Sequence, residues 1–324
     1  MTDHRIFSTA PLRGEGLARL QALGEVIVDP WIDQHPLRLY SSAQLAERAA
    51  AEGATILICE ADSCKGPVFE LGLAAIGSTR GDPTNVDLAG ATAAGIPVLR
   101  APGRNADGVA ELAVALALAC TRGLVPADRD VREGEMYRDG SIPYQRFRGW
   151  QLAGRTAGIV GYGAVGRAAA WRFEGLGMRV ISADPFAPDA THSLDDLLAE
   201  AHLVSMHAAV TEGSARMMGA EQFARMPVGS VYVNTARAGL HDTDALAAAL
   251  ADGHLAAAGL DHFDGEHLPV DHPLCAMANV VLTPHIGGAT YDTEANHTML
   301  MATGLEALLA GERPANLANP EVFG

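Results

Sequence analysis

Thr156–Asp184 reads TAGIVGYGAVGRAAAWRFEGLGMRVISAD, and the fold turns on it. The apolar run Thr156–Val160 has strand character and leads directly into Gly161, Gly163 and Gly166 in GxGxxG spacing. The segment that follows, RAAAWRFEGLG, is helix-forming, and RVISAD is a second strand that ends at Asp184. The three glycines serve different ends. Gly161 permits a tight turn, Gly163 lets the backbone approach a pyrophosphate, and Gly166 lets the helix pack close to its strand. Ala164 and Val165 lie in the turn between them, where the helix N-terminus faces the phosphates. A bare GxGxxG is common; the strand before it and the helix after it make this one specific for a dinucleotide. An acid at Asp184 can accept from the adenine ribose hydroxyls and repels a 2′-phosphate, so the expected cofactor is NAD rather than NADP.

Outward from this unit the same rhythm fills the chain. Upstream strands are expected at Arg5–Ser8, Glu25–Val28, Thr55–Cys59, Ala74–Gly77 and Pro97–Leu99, with helices at Ser42–Ala51 and Asn85–Ala94. A long helix runs from near Asn105 to about Gly123, and the polar stretch after it, ADRDVREGEMYRDGSIPYQRFRGW, has no clear apolar period. Downstream strands follow at Arg179–Ala183, Leu203–His207, Ser230–Asn234, Ala256–Leu260 and Val280–Leu282. Ser193 and Asp242 are candidate helix caps, and Gly253 is a helix stop. Alternating strands and helices imply α/β architecture with parallel sheets. The helical tail Glu294–Leu309 comes after the last strand and is expected to pack back on the first domain.

With 324 residues there is room for two domains, and 48% hydrophobic against 19% charged residues is a globular composition. The formal net charge of −16 opposes a phosphate backbone or an anionic lipid surface, so neither nucleic acid nor membrane is an expected partner. Cys59, Cys64, Cys120 and Cys275 have no zinc-site or disulfide spacing, and mostly buried free thiols in a reducing cytoplasm are expected, with no metal. The longest apolar stretch, Leu112–Cys120, is far short of the ~20 residues of a membrane span, and the N-terminus lacks a signal pattern.

Three further segments carry chemistry-bearing residues: GIPVLRAPGRNADGVAE (95–111), VYVNTARAGLHDTDALAAAL (231–250) and NVVLTPHIGGAT (279–290). Together with the glycine-rich unit, their order and spacing resemble the D-isomer-specific 2-hydroxyacid dehydrogenases from about Arg80 to Thr290. The resemblance implies a Rossmann NAD-binding domain, 102–288, inserted in a flavodoxin-like substrate domain made of 1–101 and 289–324. It implies an active site in the cleft and a homodimer. The expected activity is hydride transfer between nicotinamide and C2 of a small D-2-hydroxy or 2-oxo acid.

The resemblance also implies roles residue by residue. Arg237, beyond the strand ending near Asn234, is the expected anchor for the substrate carboxylate, because a guanidinium binds it bidentately and polarises the neighbouring carbonyl. His285 is the expected acid/base, since imidazole exchanges protons near neutrality. Glu266, in LDHFDGEHLP, is its expected partner, favouring imidazolium and orienting the ring. A glutamate there argues against the formate-oxidising branch, which has an amide. His267 replaces the usual proline after it, which leaves Asp264 as a rival partner. Asp261, Thr235, Ala236, His207 and Gly288 are expected around the cofactor. In the substrate loop TRGDPTNVD (79–87), Arg80 and Gly81 are expected to meet the substrate. Arg80, with Lys65 of CEADSCKGP, could accept a second anion such as phosphate. The alternatives are a glyoxylate or hydroxypyruvate reductase working mainly in the reducing direction, and a non-enzymatic NADH-binding regulator of the same fold.

Overall fold

The computed structural model describes residues 4–324. Two compact units emerge: the described residues up to Asn105 together with Thr290–Gly324, and Ala106–Ala289.

In the first unit, β1 (His4–Ser8), α1 (Glu15–Leu23), β2 (Gly24–Val28), α2 (Ser42–Ala51), β3 (Ile56–Cys59), β4 (Ala75–Ser78), α3 (Leu88–Ala93) and β5 (Val98–Leu99) build a parallel sheet. The strand order is β2-β1-β3-β4-β5, the flavodoxin-like order. The Ser41 hydroxyl caps α2 in a capping box with Gln44. The helix expected from Asn85 begins later than the sequence suggests. Asp87 is the cap of α3, and Asn85 before it is buried in the loop, bonding Ser78 and the Asp62 carbonyl.

The second unit opens with α4 (Ala106–Arg122), α5 (Leu124–Glu133) and the short α6 (Pro143–Arg146). The polar stretch therefore does hold a helix. α5 exposes Leu124, Val125 and Val131, so no buried apolar stripe announces it, and its order comes from Asp130. That carboxylate, 3% exposed, takes ion pairs from Arg138 and Arg146. There follow β6 (Thr156–Val160), α7 (Ala164–Gly175), β7 (Arg179–Ala183), α8 (Leu194–Glu200), β8 (Leu203–Met206), α9 (Ala220–Arg225), β9 (Ser230–Asn234), α10 (Thr243–Ala251), β10 (Leu255–Leu260), α11 (Pro273–Ala276) and β11 (Val280–Leu282). Ser193 and Asp242 cap α8 and α10 through the amides of Asp196 and Ala245, and Gly253 follows α10 with φ 78°. The sheet order is β11-β10-β9-β8-β6-β7, all parallel.

Register is what positions the site. Ala183, Val160, Met206, Asn234, Leu260 and Leu282 pair across the whole sheet in one row. Because the strands are parallel, the residues after that row, Asp184, Gly161, His207, Thr235, Asp261 and Thr283, all leave the sheet at the same carboxyl edge, where ligands of open α/β sheets bind. The chain crosses over β6 between β7 and β8, which makes the β6/β8 edge the topological switch point. Small residues allow the covering helices to approach: a Cβ on Gly259 of β10 would lie 2.8 Å from Leu116 of α4.

The chain returns to the first unit as α12 (Tyr291–Leu309). It crosses α1 so closely that a Cβ on Gly16 would lie 2.5 Å from the Met299 amide nitrogen. Of the four free cysteines only Cys59 and Cys64 are buried; Cys120 is half-buried and Cys275 exposed, fewer buried thiols than the composition suggests. Among the described residues no single helix is long and apolar enough to cross a membrane.

Candidate active site

The glycine turn has the shape a dinucleotide needs. Gly161 has φ 88°, and a Cβ there would lie 2.4 Å from the Ala208 amide, so only glycine fits between β6 and the chain leaving β8. A Cβ on Gly166 would come within 2.0 Å of the Gly161 carbonyl oxygen, whereas one on Gly163 would meet nothing within 4 Å. Gly163 thus faces open space at the N-terminus of α7, with Ala164 as the first helical residue and Val165 half-buried behind it. Asp184 braces this turn: one carboxylate oxygen accepts from the Tyr162 amide at 2.7 Å, the other from the Phe186 amide at 2.8 Å. These features fit a pyrophosphate over the helix terminus and a ribose at the acid.

His207, expected around the cofactor, follows β8 directly and lies beside the glycine turn. Its ring is turned inward, Nε2 lies 2.8 Å from the Ser205 hydroxyl, and Nδ1 is buried without a partner. Burial pushes its pKa down to about 4. What His207 brings to the Gly161 turn is its backbone, since the carbonyl carbon lies 2.5 Å from where a Gly161 Cβ would be.

Beyond β9, Asn234 shapes the next turn. Its side-chain oxygen accepts from the Ala236 amide, and its side-chain nitrogen donates to the Arg237 carbonyl. Thr235 is buried with a hydroxyl that has no partner, and Arg237 is exposed. Beyond β10, Asp261 is fully buried and receives three donors from one loop: the Thr283 hydroxyl at 2.6 Å, the Ile286 amide at 2.9 Å and the Gly287 amide at 2.8 Å. This carboxylate clamps the loop 283–287, with Gly288 half-buried just after it, and so fixes where His285 stands.

Glu266 and His285 meet across this loop. His285 Nδ1 lies 2.8 Å from Glu266 Oε1, and Asp264 makes no comparable contact with that ring. Both residues have φ 56°, a left-handed backbone that a side chain disfavours. Strain of this kind persists only where surrounding structure enforces it, and it concentrates at functional sites.

One member of the group was not foreseen. His262, 5% exposed, stands between the three: its Nε2 is 3.2 Å from an Arg237 guanidinium nitrogen, its ring centroid is 3.6 Å from that of His285, and its Nδ1 is 3.8 Å from Glu266 Oε1. Burial first, then the charges of His285 and Arg237, push its pKa down to about 4 against the opposing pull of Glu266 and Asp261. A lone histidine between Asp261 and Phe263 carries no sequence signal for such a role. The donor atoms of His262, Glu266 and His285 lie within 4.8 Å of one another, a spacing that can hold a metal ion. The Arg237 guanidinium on the same imidazole sets a fixed positive charge against that use, and proton exchange is the chemistry this group favours.

Arg80 and Gly81 belong to the other unit. Arg80 follows β4, and Lys65 follows the neighbouring strand β3 at the start of a short 3₁₀ turn. Among the described residues neither cation has a carboxylate partner within ion-pair distance.

Comparison with known proteins shows the family of the chain. Residues 114–287, more than half of the chain, match the D-isomer specific 2-hydroxyacid dehydrogenase, NAD binding domain. The chain is similar to a glyoxylate reductase of Korarchaeum cryptofilum, 35% identical over 98% of this chain and 96% of that one. It is also similar to a D-3-phosphoglycerate dehydrogenase of Methanocaldococcus jannaschii, 31% identical over 97% of this chain and 59% of that one. Among solved structures, the TT0316 protein of Thermus thermophilus superposes with a TM-score of 0.79 at 36% identity, covering 97% of this chain and 99% of that one.

Proposed function

Because the chain belongs to the D-isomer specific 2-hydroxyacid dehydrogenases, and is thereby an NAD-dependent oxidoreductase of small hydroxy and oxo acids, we propose that Arg237, Glu266 and His285 carry its reaction. The observation that carries this reading is the 2.8 Å contact between His285 Nδ1 and Glu266, made at the same sheet edge as the glycine turn.

When bound, NAD supplies hydride acceptance at C2 of a hydroxy acid and, as NADH, hydride donation to the oxo acid. The residues do the rest. With Nδ1 engaged by Glu266, His285 has Nε2 left for the substrate oxygen, from which it takes a proton in oxidation and to which it returns one in reduction. Glu266 stabilises the imidazolium that oxidation produces and holds the ring's orientation. Arg237 holds the substrate carboxylate and draws electron density from the adjacent carbonyl. Its own contacts are neutral, the Ala236 carbonyl and the His262 imidazole, so its charge stays available to an anion.

The finer reading concerns the acid itself. Arg80 and Lys65, both without a carboxylate partner among the described residues, support a substrate with a second anionic group; relatives named for phosphoglycerate and for glyoxylate keep both kinds of acid in view. The proposal extends to a cytoplasmic homodimer, for which free thiols suit a reducing compartment.

The test is NADH consumption across 2-oxo acids with and without phosphate, with His285→Ala in parallel. Loss of an acid/base group is expected to cost about 10²–10⁴-fold in turnover. If phosphorylated acids are preferred, Arg80→Ala should raise their KM and leave that of glyoxylate unchanged. Tight NADH binding without turnover of any acid would favour the regulator instead.

A further inference from the structure

The His262 side chain touches Arg237 and His285 together while closing on Glu266. A guanidinium has donors only, so its 3.2 Å approach to Nε2 requires that nitrogen to be unprotonated, which places the imidazole hydrogen on Nδ1, toward Glu266. A carboxylate in the same place would also hold Arg237, but it would neutralise the charge that an anionic substrate needs. A neutral acceptor fixes the guanidinium and leaves its charge unspent.

Resting on the reading of Arg237, Glu266 and His285 given above, we propose that His262 is a positioning residue: as a neutral imidazole it holds the Arg237 guanidinium through Nε2 and backs the ring of His285, so that the carboxylate anchor and the acid/base pair are set by one side chain. The site thereby acquires a second histidine that never exchanges a proton with substrate. Its effect is to be read in substrate affinity rather than in the chemical step.

The groups that face His262 define how pH enters. Arg237 from the turn after β9 and His285 from the loop after β11 oppose its protonation, while Glu266 and Asp261 from its own segment favour it. Burial decides the balance and keeps the ring neutral until about pH 4. Below that, a protonated ring can no longer accept from Arg237 and repels it.

The test compares His262→Leu, which has no acceptor, with His262→Gln, which retains one. In His262→Leu the KM for the preferred 2-oxo acid is expected to rise roughly ten- to hundred-fold, with a smaller change in kcat and unchanged NADH affinity. His262→Gln should recover most of that loss. As the pH is lowered toward 4 the wild-type KM should climb more steeply than that of His262→Gln, which has nothing to protonate at this position. An unchanged KM in His262→Leu overturns the proposal, and so do equal losses in both variants accompanied by a lower melting temperature, the result of a packing role alone. Nitrogen NMR of labelled histidine tests the contact without turnover: at neutral pH the His262 ring should be neutral with an unprotonated Nε2, and that resonance should move in Arg237→Ala. A proton on Nε2 would overturn the proposal. Should the wild type reduce no acid at all, the parent reading of the catalytic residues falls, while the NMR result still decides whether His262 holds Arg237.

Discussion

At the scale of single residues, the acid/base pair invites a charge-only substitution. Glu266→Gln keeps a group able to accept from His285 Nδ1 but removes the negative charge beside the ring. Reduction consumes the imidazolium that this charge stabilises, whereas oxidation begins from neutral imidazole. The variant is therefore expected to lose about ten- to hundred-fold in kcat in the reducing direction and distinctly less in kcat in the oxidising one, with compensating changes in KM because the equilibrium constant is fixed. Steady-state rates in both directions check this, and equal losses would mean that the carboxylate orients the ring without charging it. Arg237, Glu266 and His285, the proposed catalytic set, could be picked out from the sequence because each stands in a short motif, VNTARAG, LDHFDGEHLP and LTPHIGG. His262 was not, because its importance comes from burial against two partners far away in sequence. Nor was the left-handed backbone at Glu266 and His285, since only the surrounding loop imposes it.

At the scale of elements, β6 and β7 begin and end where the sequence placed them, while α7 starts three residues earlier than its helix-forming run suggested, at Ala164. Glycine spacing, strand content and helix content agreed there, and such local consistency makes a segment readable. Helix α5 was missed for the opposite reason, because its order depends on arginines that converge on Asp130 from residues 138 and 146. The glycine turn yields a paired prediction. Gly163→Ala adds a methyl group that meets no protein atom, so it should weaken NADH binding and leave the melting temperature in place. Gly166→Ala drives a methyl into the Gly161 carbonyl and should weaken binding and also destabilise by about 1–3 kcal/mol. Titration with NADH and thermal unfolding of the two variants separate cradle from scaffold. Equal destabilisation by both would refute the division of labour.

For the whole molecule, acid sensitivity follows from buried imidazoles. His207, His241 and His262 each have a pKa pushed down to about 4, chiefly by burial. As the pH falls from the usual histidine value near 6.5 toward 4, the unfolded chain takes up these protons and the folded one does not. Stability present at neutral pH is thus lost across that window, each ring contributing a slope of about 1.4 kcal/mol per pH unit. Urea unfolding midpoints should drop between pH 6.5 and 4, and replacing His241 with Gln should flatten the decline. A midpoint that holds steady over the window would place these rings in contact with water. The framework of parallel strands was visible in the alternation of elements, but the single row of register that aligns six strand ends was not, because register arises from pairing between segments distant in the chain.

The left-handed conformation of Glu266 and His285 has a consequence for descent. Neither side chain suits its backbone, so folding alone gives no reason to retain either of them, and glycine would satisfy both turns with less strain. Drift therefore pulls these two sites away from their present occupants unless turnover opposes it. In a lineage of such chains, Gly161 and Gly166 would persist as long as the fold did. A glutamate at 266 together with a histidine at 285 would persist only where catalysis was still under selection.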